Sequence, residues 1–107
     1  MSHTYIMKRT ETGCTAHVSN EEGEKALPPR NDLFNHSPDG FEWGYGGSGP
    51  AQLALALLAH EFGDGEALEW YQTFKREVIS QVSQDINHWT ITSEDLATLM
   101  EKVKSYG

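Results

Sequence analysis

From Leu53 to Ala59 the chain reads LALALLA, a run in which every residue is leucine or alanine. A helix carrying these residues has no face to give to water, so other parts of the chain must enclose it on every side. The preceding stretch is of the opposite kind. Five of the ten residues from Gly40 to Gly49 are glycine, with Phe41, Trp43 and Tyr45 set between them. Glycine serves where the backbone needs positive φ or where another group comes close. Pro50 suits a first helical turn, Gly49 is a permitted N-cap, and Gln52 at the third helical position can reach back toward that cap. The pattern predicts a buried central helix over about Pro50–Phe62, entered from an ordered aromatic loop and stopped by Gly63.

Around this helix the remaining segments are short. Residues 4–9 (TYIMKR) and 14–19 (CTAHVS) read as two strands joined by a turn over Thr10–Gly13, a β-hairpin. The run NEEGEK (20–25) reads as a turn, and Ala26 and Leu27 as a brief third strand ended by Pro28-Pro29, since proline cannot donate to a ladder. Arg30 to Pro38 is rich in turn formers and has no period. Asp64 is placed to cap a second helix over roughly Gly65–Val82, with Leu68, Tyr71, Phe74, Val78 and Val82 on one face. His88–Ile91 is a short extended segment anchored by Trp89. Thr92 and Asp95 have the spacing of a capping box before a third helix, whose inward stripe is Leu96, Leu99, Met100 and Val103. The expected fold class is α+β: a small antiparallel sheet of two to four short strands packed on three helices, the first of them buried.

A length of 107 residues suits one domain with one modest core, spanning 1–107. Sixteen acidic against eight basic side chains give a formal charge of -8, which argues against direct binding of nucleic acid. The one cysteine, Cys14, excludes an internal disulfide and suits a reducing compartment. No signal-like start and no membrane-length apolar run are present, so a cytoplasmic protein without membrane contact is expected. The sequence carries no signal for oligomeric state.

The segment NHSPDGFEWGYGGSGPAQLALALL (residues 35–58) resembles the signature of a small domain family of unknown function found in bacteria, archaea and their phages. The resemblance takes in Tyr5 and Arg9, LPPRNDL (27–33), YQTFKREV (71–78) and the W-x-I-T entry at 89–92. It covers most of the chain and implies the fold's limits and an association with mobile elements, but no reaction. Met7 stands where the resemblance implies a small residue, often glycine.

Two kinds of chemistry compete for the glycine loop. Backbone N–H groups at a helix start favour an anion, which makes Glu42, Gly46, Gly47, Ser48 and Gly49 candidate ligand-binding residues for a phosphate or nucleotide. The loop at Gly44–Gly49 lacks a P-loop lysine and the G-x-G-x-x-G spacing, however, so tight packing over the helix is the preferred reading. His36, Ser37, Asp39 and Glu42 are crowded into one turn, an arrangement that caps itself more readily than it builds a triad. His36 is read as structural. Glu42, between two aromatics, needs a partner such as Arg9 or Arg30. Cys14 and His17 fall on opposite faces of a strand, and His3, His60 and His88 show no ligand spacing, so neither a metal nor a cofactor is expected.

The acidic residues cluster at 21–24, 61–69 and 85–101. A solvated surface is the ordinary explanation. The functional explanation is a non-enzymatic interaction module, of the kind mobile elements use to inhibit host defence. It would meet a basic protein surface, such as that of a nucleic-acid-binding defence complex, through Trp43, Tyr45, Glu61, Asp64, Glu66 and Glu69.

Overall fold

The computed structural model describes residues 2–37 and 40–106. It contains four strands, β1 (Thr4–Thr10), β2 (Gly13–Asn20), β3 (Gly23–Ala26) and β4 (His88–Thr92), and three helices, α1 (Ser48–Phe62), α2 (Asp64–Glu77) and α3 (Ser93–Tyr106). A single 3₁₀ turn at Ile79–Gln81 follows α2. The strands form one antiparallel sheet in the order β3-β2-β1-β4, so the fold is α+β.

Strand periodicity decides which side chains meet the helices. Tyr5 lies between Val18 and Ile91, and Met7 between Ala16 and Trp89, all on one face; Arg9 opposite Cys14 continues that face. Tyr5, Met7, Ala16, Val18 and Ile91 are buried. Met7 leaves the strand regular, because the residue opposite it is the small Ala16. One core cluster joins this face to α1 and to the inner sides of α2 and α3.

Helix α1 is enclosed from Gly49 to Ala59, and Leu53, Leu55, Leu57 and Leu58 expose no surface. Its N-cap is Gly47, not Gly49; Gly49 and Pro50 lie within the first turn. Gln52 does not reach back to the cap. Fully buried, it turns toward the preceding loop: its Oε1 accepts from the N–H groups of His36 (2.8 Å) and Ser37 (3.1 Å), and its Nε2 donates to the Pro29 carbonyl (2.6 Å). One amide side chain thus supplies partners for a loop with no ladder of its own.

Gly63, with φ 96°, both ends α1 and begins α2. Its N–H bonds the Ala59 carbonyl and its carbonyl accepts from Ala67. Asp64 is therefore the first residue of α2 and not its cap; its carboxylate turns to Arg30 instead. The second helix is also shorter than expected. It stops at Glu77, and Val78 leaves helical geometry before the 3₁₀ turn drives Ile79 into the core. Its buried line is Ala67, Tyr71 and Phe74, which leaves Leu68 one step round the helix and 44% exposed. Strand β3 begins at Gly23, inside the run expected to be a turn, because an edge strand exposed throughout has no apolar alternation to reveal it. The capping box at α3 is present: the Asp95 N–H donates to Thr92 Oγ1 and the Thr92 N–H to Asp95 Oδ2, both at 3.1 Å.

Each of Leu53→Ala, Leu55→Ala, Leu57→Ala and Leu58→Ala is expected to cost about 2–5 kcal/mol in equilibrium denaturation, the range for cavities left by buried leucine. Gln52→Leu keeps the volume but strands two N–H groups and one carbonyl. A loss of roughly 2–4 kcal/mol is expected from it; an unchanged midpoint would mean the loop is held by something else.

Candidate functional site

The inward face of β1 runs out of apolar residues at Arg9, and the glycine loop meets it there. Arg9 donates to four acceptors: Glu42 Oε1 (2.7 Å), the carbonyls of Gln84 (2.6 Å) and Ile86 (3.1 Å), and Asn87 Oδ1 (3.3 Å). Its guanidinium lies 4.4 Å from the centre of the Trp43 ring, a cation–π contact. Trp43 is fully buried, packs edge-on to Trp89, and donates its Nε1–H to the Ile86 carbonyl (3.0 Å). Burial pushes the Glu42 carboxyl up, but hydrogen bonds from Arg9, Cys14 and the Trp43 N–H outweigh it and hold the group below its ordinary value. Burial and the Glu42 carboxylate raise the Cys14 thiol. Of the two arginines considered for Glu42, the partner is Arg9.

This knot forms the floor of a notch of about 540 Å3 lined by Arg9, Glu42, Trp43, Tyr45, Gln84, Asp85 and Asn87. Tyr45 (43% exposed) borders it, and Ile86 (41% exposed) lies in the 84–87 connection that forms its far wall. The Arg9 and Trp43 bonds to Glu42 both fall on Oε1, and the Asp85 carboxylate makes no hydrogen bond among the described residues. The notch is therefore lined by one cation engaged by four acceptors and by two carboxylates, of which that of Asp85 accepts no hydrogen bond among the described residues.

The glycine loop has a different logic from an anion cradle. Of the N–H groups an anion would use, that of Ala51 is bonded to the Gly47 carbonyl. The contribution of Asp39 lies outside the described residues. Gly49 is glycine because a β-carbon there would sit 2.8 Å from that of Glu42. At Gly44 φ is +87°, and a β-carbon would lie 2.8 Å from the Val82 carbonyl oxygen and 2.9 Å from the Gln84 nitrogen, both backbone atoms. At Gly47 φ is −102°, and the obstacle is only the exposed Tyr45 ring. Gly46 faces open space and Ser48 is exposed.

The acidic candidates are scattered in environment. Glu61 is drawn inward, Asp64 is bound by Arg30 through both oxygens (2.9 and 3.0 Å), and Glu66 pairs with Lys104 (2.8 Å). Glu69 is exposed and makes no ion pair among the described residues. The partner set thus divides into a buried ring (Trp43), an exposed ring (Tyr45), three engaged carboxylates and one free one. His36 bonds Tyr71 through Nε2 and stacks on Phe34, and burial lowers its pKa. Cys14 lies on the inward face of β2 with Ala16 and Val18, and His17 on the other.

A second polar cluster was not evident in the sequence. The Tyr5 hydroxyl lies 2.7 Å from Glu61 Oε1 and 2.8 Å from His60 Nδ1. Ser93 donates to the same Glu61 oxygen (2.8 Å), and His3 Nδ1 approaches it at 3.4 Å. Burial beside Glu61 raises the Tyr5 hydroxyl far above its ordinary value. The contributing residues come from the segment before β1, from β1, from the end of α1 and from the start of α3, and no local spacing links them.

The two glycines separate backbone need from side-chain crowding. Gly44→Ala is expected to destabilise the protein by roughly 2–4 kcal/mol through positive φ and collision with fixed backbone. Gly47→Ala is expected to cost under about 1 kcal/mol, since the Tyr45 ring can rotate away. Thermal and denaturant melts of the pair check this, and equal losses would refute it.

No curated protein and no solved structure matches the chain. Residues 5–102 match DUF6166, a family of unknown function, and the matched span starts at Tyr5 and includes the Arg9–Glu42 knot, the whole glycine loop and all of the second cluster except His3. On that coverage the chain belongs to the DUF6166 family.

Proposed function

We propose that the protein is a non-enzymatic interaction module that receives a basic side chain of a partner protein in the notch beside the glycine loop. The observation that carries this reading is that the carboxylates of Glu42 and Asp85 line one notch with the exposed ring of Tyr45. Arg9 is already engaged by Glu42 and by the Gln84 and Ile86 carbonyls, which reduces its pull on an incoming anion. An incoming guanidinium or ammonium meets the reverse situation: two acceptors and an aromatic face, with the positive charge already present engaged by its own acceptors. The exposed Tyr45 ring supplies an anchor around which such contacts concentrate their energy.

The overall charge of -8 supports the same partner class, because it favours encounter with a basic surface and raises the rate of association. An arginine- and lysine-rich protein such as a nucleic-acid-binding defence complex is the specific case that fits, with the protein acting as an occupying inhibitor. The contact proposed here is narrower than a general acidic face. It rests on the notch and leaves Asp64 and Glu66 to their internal pairs.

A short arginine-containing peptide provides the test by NMR titration. Saturable shifts are expected at the Trp43 indole N–H, Tyr45 and Asp85, weakening as salt is raised through the range where charges are screened within ~10 Å. Asp85→Lys and Tyr45→Ala, both at exposed positions, should abolish or strongly weaken them. Shifts centred elsewhere, or unaltered by either variant, would remove the basis of this reading.

A further inference from the structure

We infer that the cavity between the β2–β3 edge and the end of α1 is a binding site for a small oxyanion of the phosphate class, held by Lys25, Asn20 and His60. The cavity has a volume of about 220 Å3 and is lined by Val18, Asn20, Gly23, Lys25, Ala26, Pro28 and His60. The β2–β3 register pairs Val18 with Lys25 and Asn20 with Gly23. Residues opposite one another across an antiparallel pair share a face. Since Val18 is in the core, Lys25 and Asn20 point to the helix side of the sheet. Lys25 is thus a second cation on the inward face, after Arg9. Unlike Arg9, it has no carboxylate partner among the described residues.

The other two groups are oriented by bonds already made. Asn20 Oδ1 accepts from the Glu22 N–H (2.8 Å), which leaves the amide NH2 as a donor. His60 is oriented through Tyr5. A carboxylate only accepts, so the single Tyr5 proton goes to Glu61, and the Tyr5 oxygen must accept from His60 Nδ1–H. The proton of neutral His60 therefore sits on Nδ1, and the lone pair sits on Nε2, on the far side of a ring that lines the cavity. A hydrogen phosphate group matches this set: anionic oxygens for Lys25 and Asn20, and a P–OH proton for Nε2. At lower pH the imidazolium donates from Nε2 to an anionic oxygen instead, so either protonation state can serve.

The charges facing His60 come from several elements. Tyr5 lies on β1, His3 ahead of it, Glu61 beside it on α1, Lys25 on β3 and Arg30 on the loop under an adjoining small cavity. Arg30 is occupied by Asp32 and Asp64, which leaves Lys25 as the cation available to a ligand. Burial and His3 lower the His60 pKa and Glu61 opposes them, so the ring is neutral at neutral pH. Bound phosphate adds negative charge beside the ring and raises that pKa.

The test is long-range 1H–15N NMR of the histidine rings during titration with inorganic phosphate, with chloride at equal ionic strength as the control. The free protein should show His60 as the Nδ1–H tautomer. Phosphate should produce saturating shifts at His60, Asn20 and Gly23 and an upward move of the His60 pKa. Lys25→Ala and His60→Gln, both at exposed positions, should each weaken the apparent affinity by about tenfold or more. Shifts that chloride reproduces, affinity retained in Lys25→Ala, or an Nε2–H tautomer in the free protein would each overturn the assignment. Lys25 would then be an inward charge that only guards an exposed edge strand.

Discussion

Helix α1 has no surface of its own, and most of the architecture follows from the need to surround it. The sheet covers one side and α2 and the 3₁₀ turn another, while the segment from Pro28 to Ser37, which has no regular structure, closes the remainder. A loop laid over a core brings backbone groups into a place without water, and each must find a partner. Among the described residues Gln52 is the one buried side chain of a polar or charged residue type, and it meets that demand with three hydrogen bonds. Replacing leucine by glutamine in an otherwise apolar run looks like a weakness in the sequence. In the fold it is what allows an irregular segment to stand in for a fourth helix.

The sheet handles two charges on its inward face in contrasting ways. Arg9 lies where the glycine loop and the 84–87 connection converge, and four acceptors from them bond to it. Its role is to bind two distant segments to one end of the sheet, with Trp43 as the surface it rests on. Lys25 lies at the opposite edge, beside a cavity that it shares with His60 of α1, and no carboxylate among the described residues pairs with it. One charge has been absorbed into structure and the other left open, although the strand positions are of the same kind.

Much of this was legible in the residues. The Leu/Ala run identifies the enclosed helix, the β1–β2 hairpin reads from its alternation, and the spacing of Thr92 and Asp95 gives a cap that the structure contains. The misreadings have physical causes. Leu68 was placed inward because a long helix to Val82 averages its apolar face differently from the short one that stops at Glu77. Gln52 was aimed at the cap because only local partners can be seen from sequence, and its real partners lie 15 to 23 residues away. Glu42 is recognisable as an anomaly in need of a cation, but the residues leave Arg9 and Arg30 as alternatives, and only the packing of the loop on β1 selects Arg9. The Tyr5–His60–Glu61–Ser93 cluster was not recognisable, because it depends on how the end of α1 meets the sheet.

The position of β1 has a consequence for how the chain reaches this state. The first strand is a central one, and one of its neighbours, β4, comes from the far side of all the intervening helices, so that Thr4 pairs with Thr92. Pairings of such long sequence separation are reached late, because closing the loop between them is entropically costly before any contact rewards it. During synthesis the β1–β2 hairpin can form early, but the inner edge of β1 stays open until β4 has left the ribosome. The exposed strand edge and the bare Leu/Ala helix coexist for that interval, which makes the nascent chain, more than the finished fold, the state most vulnerable to aggregation.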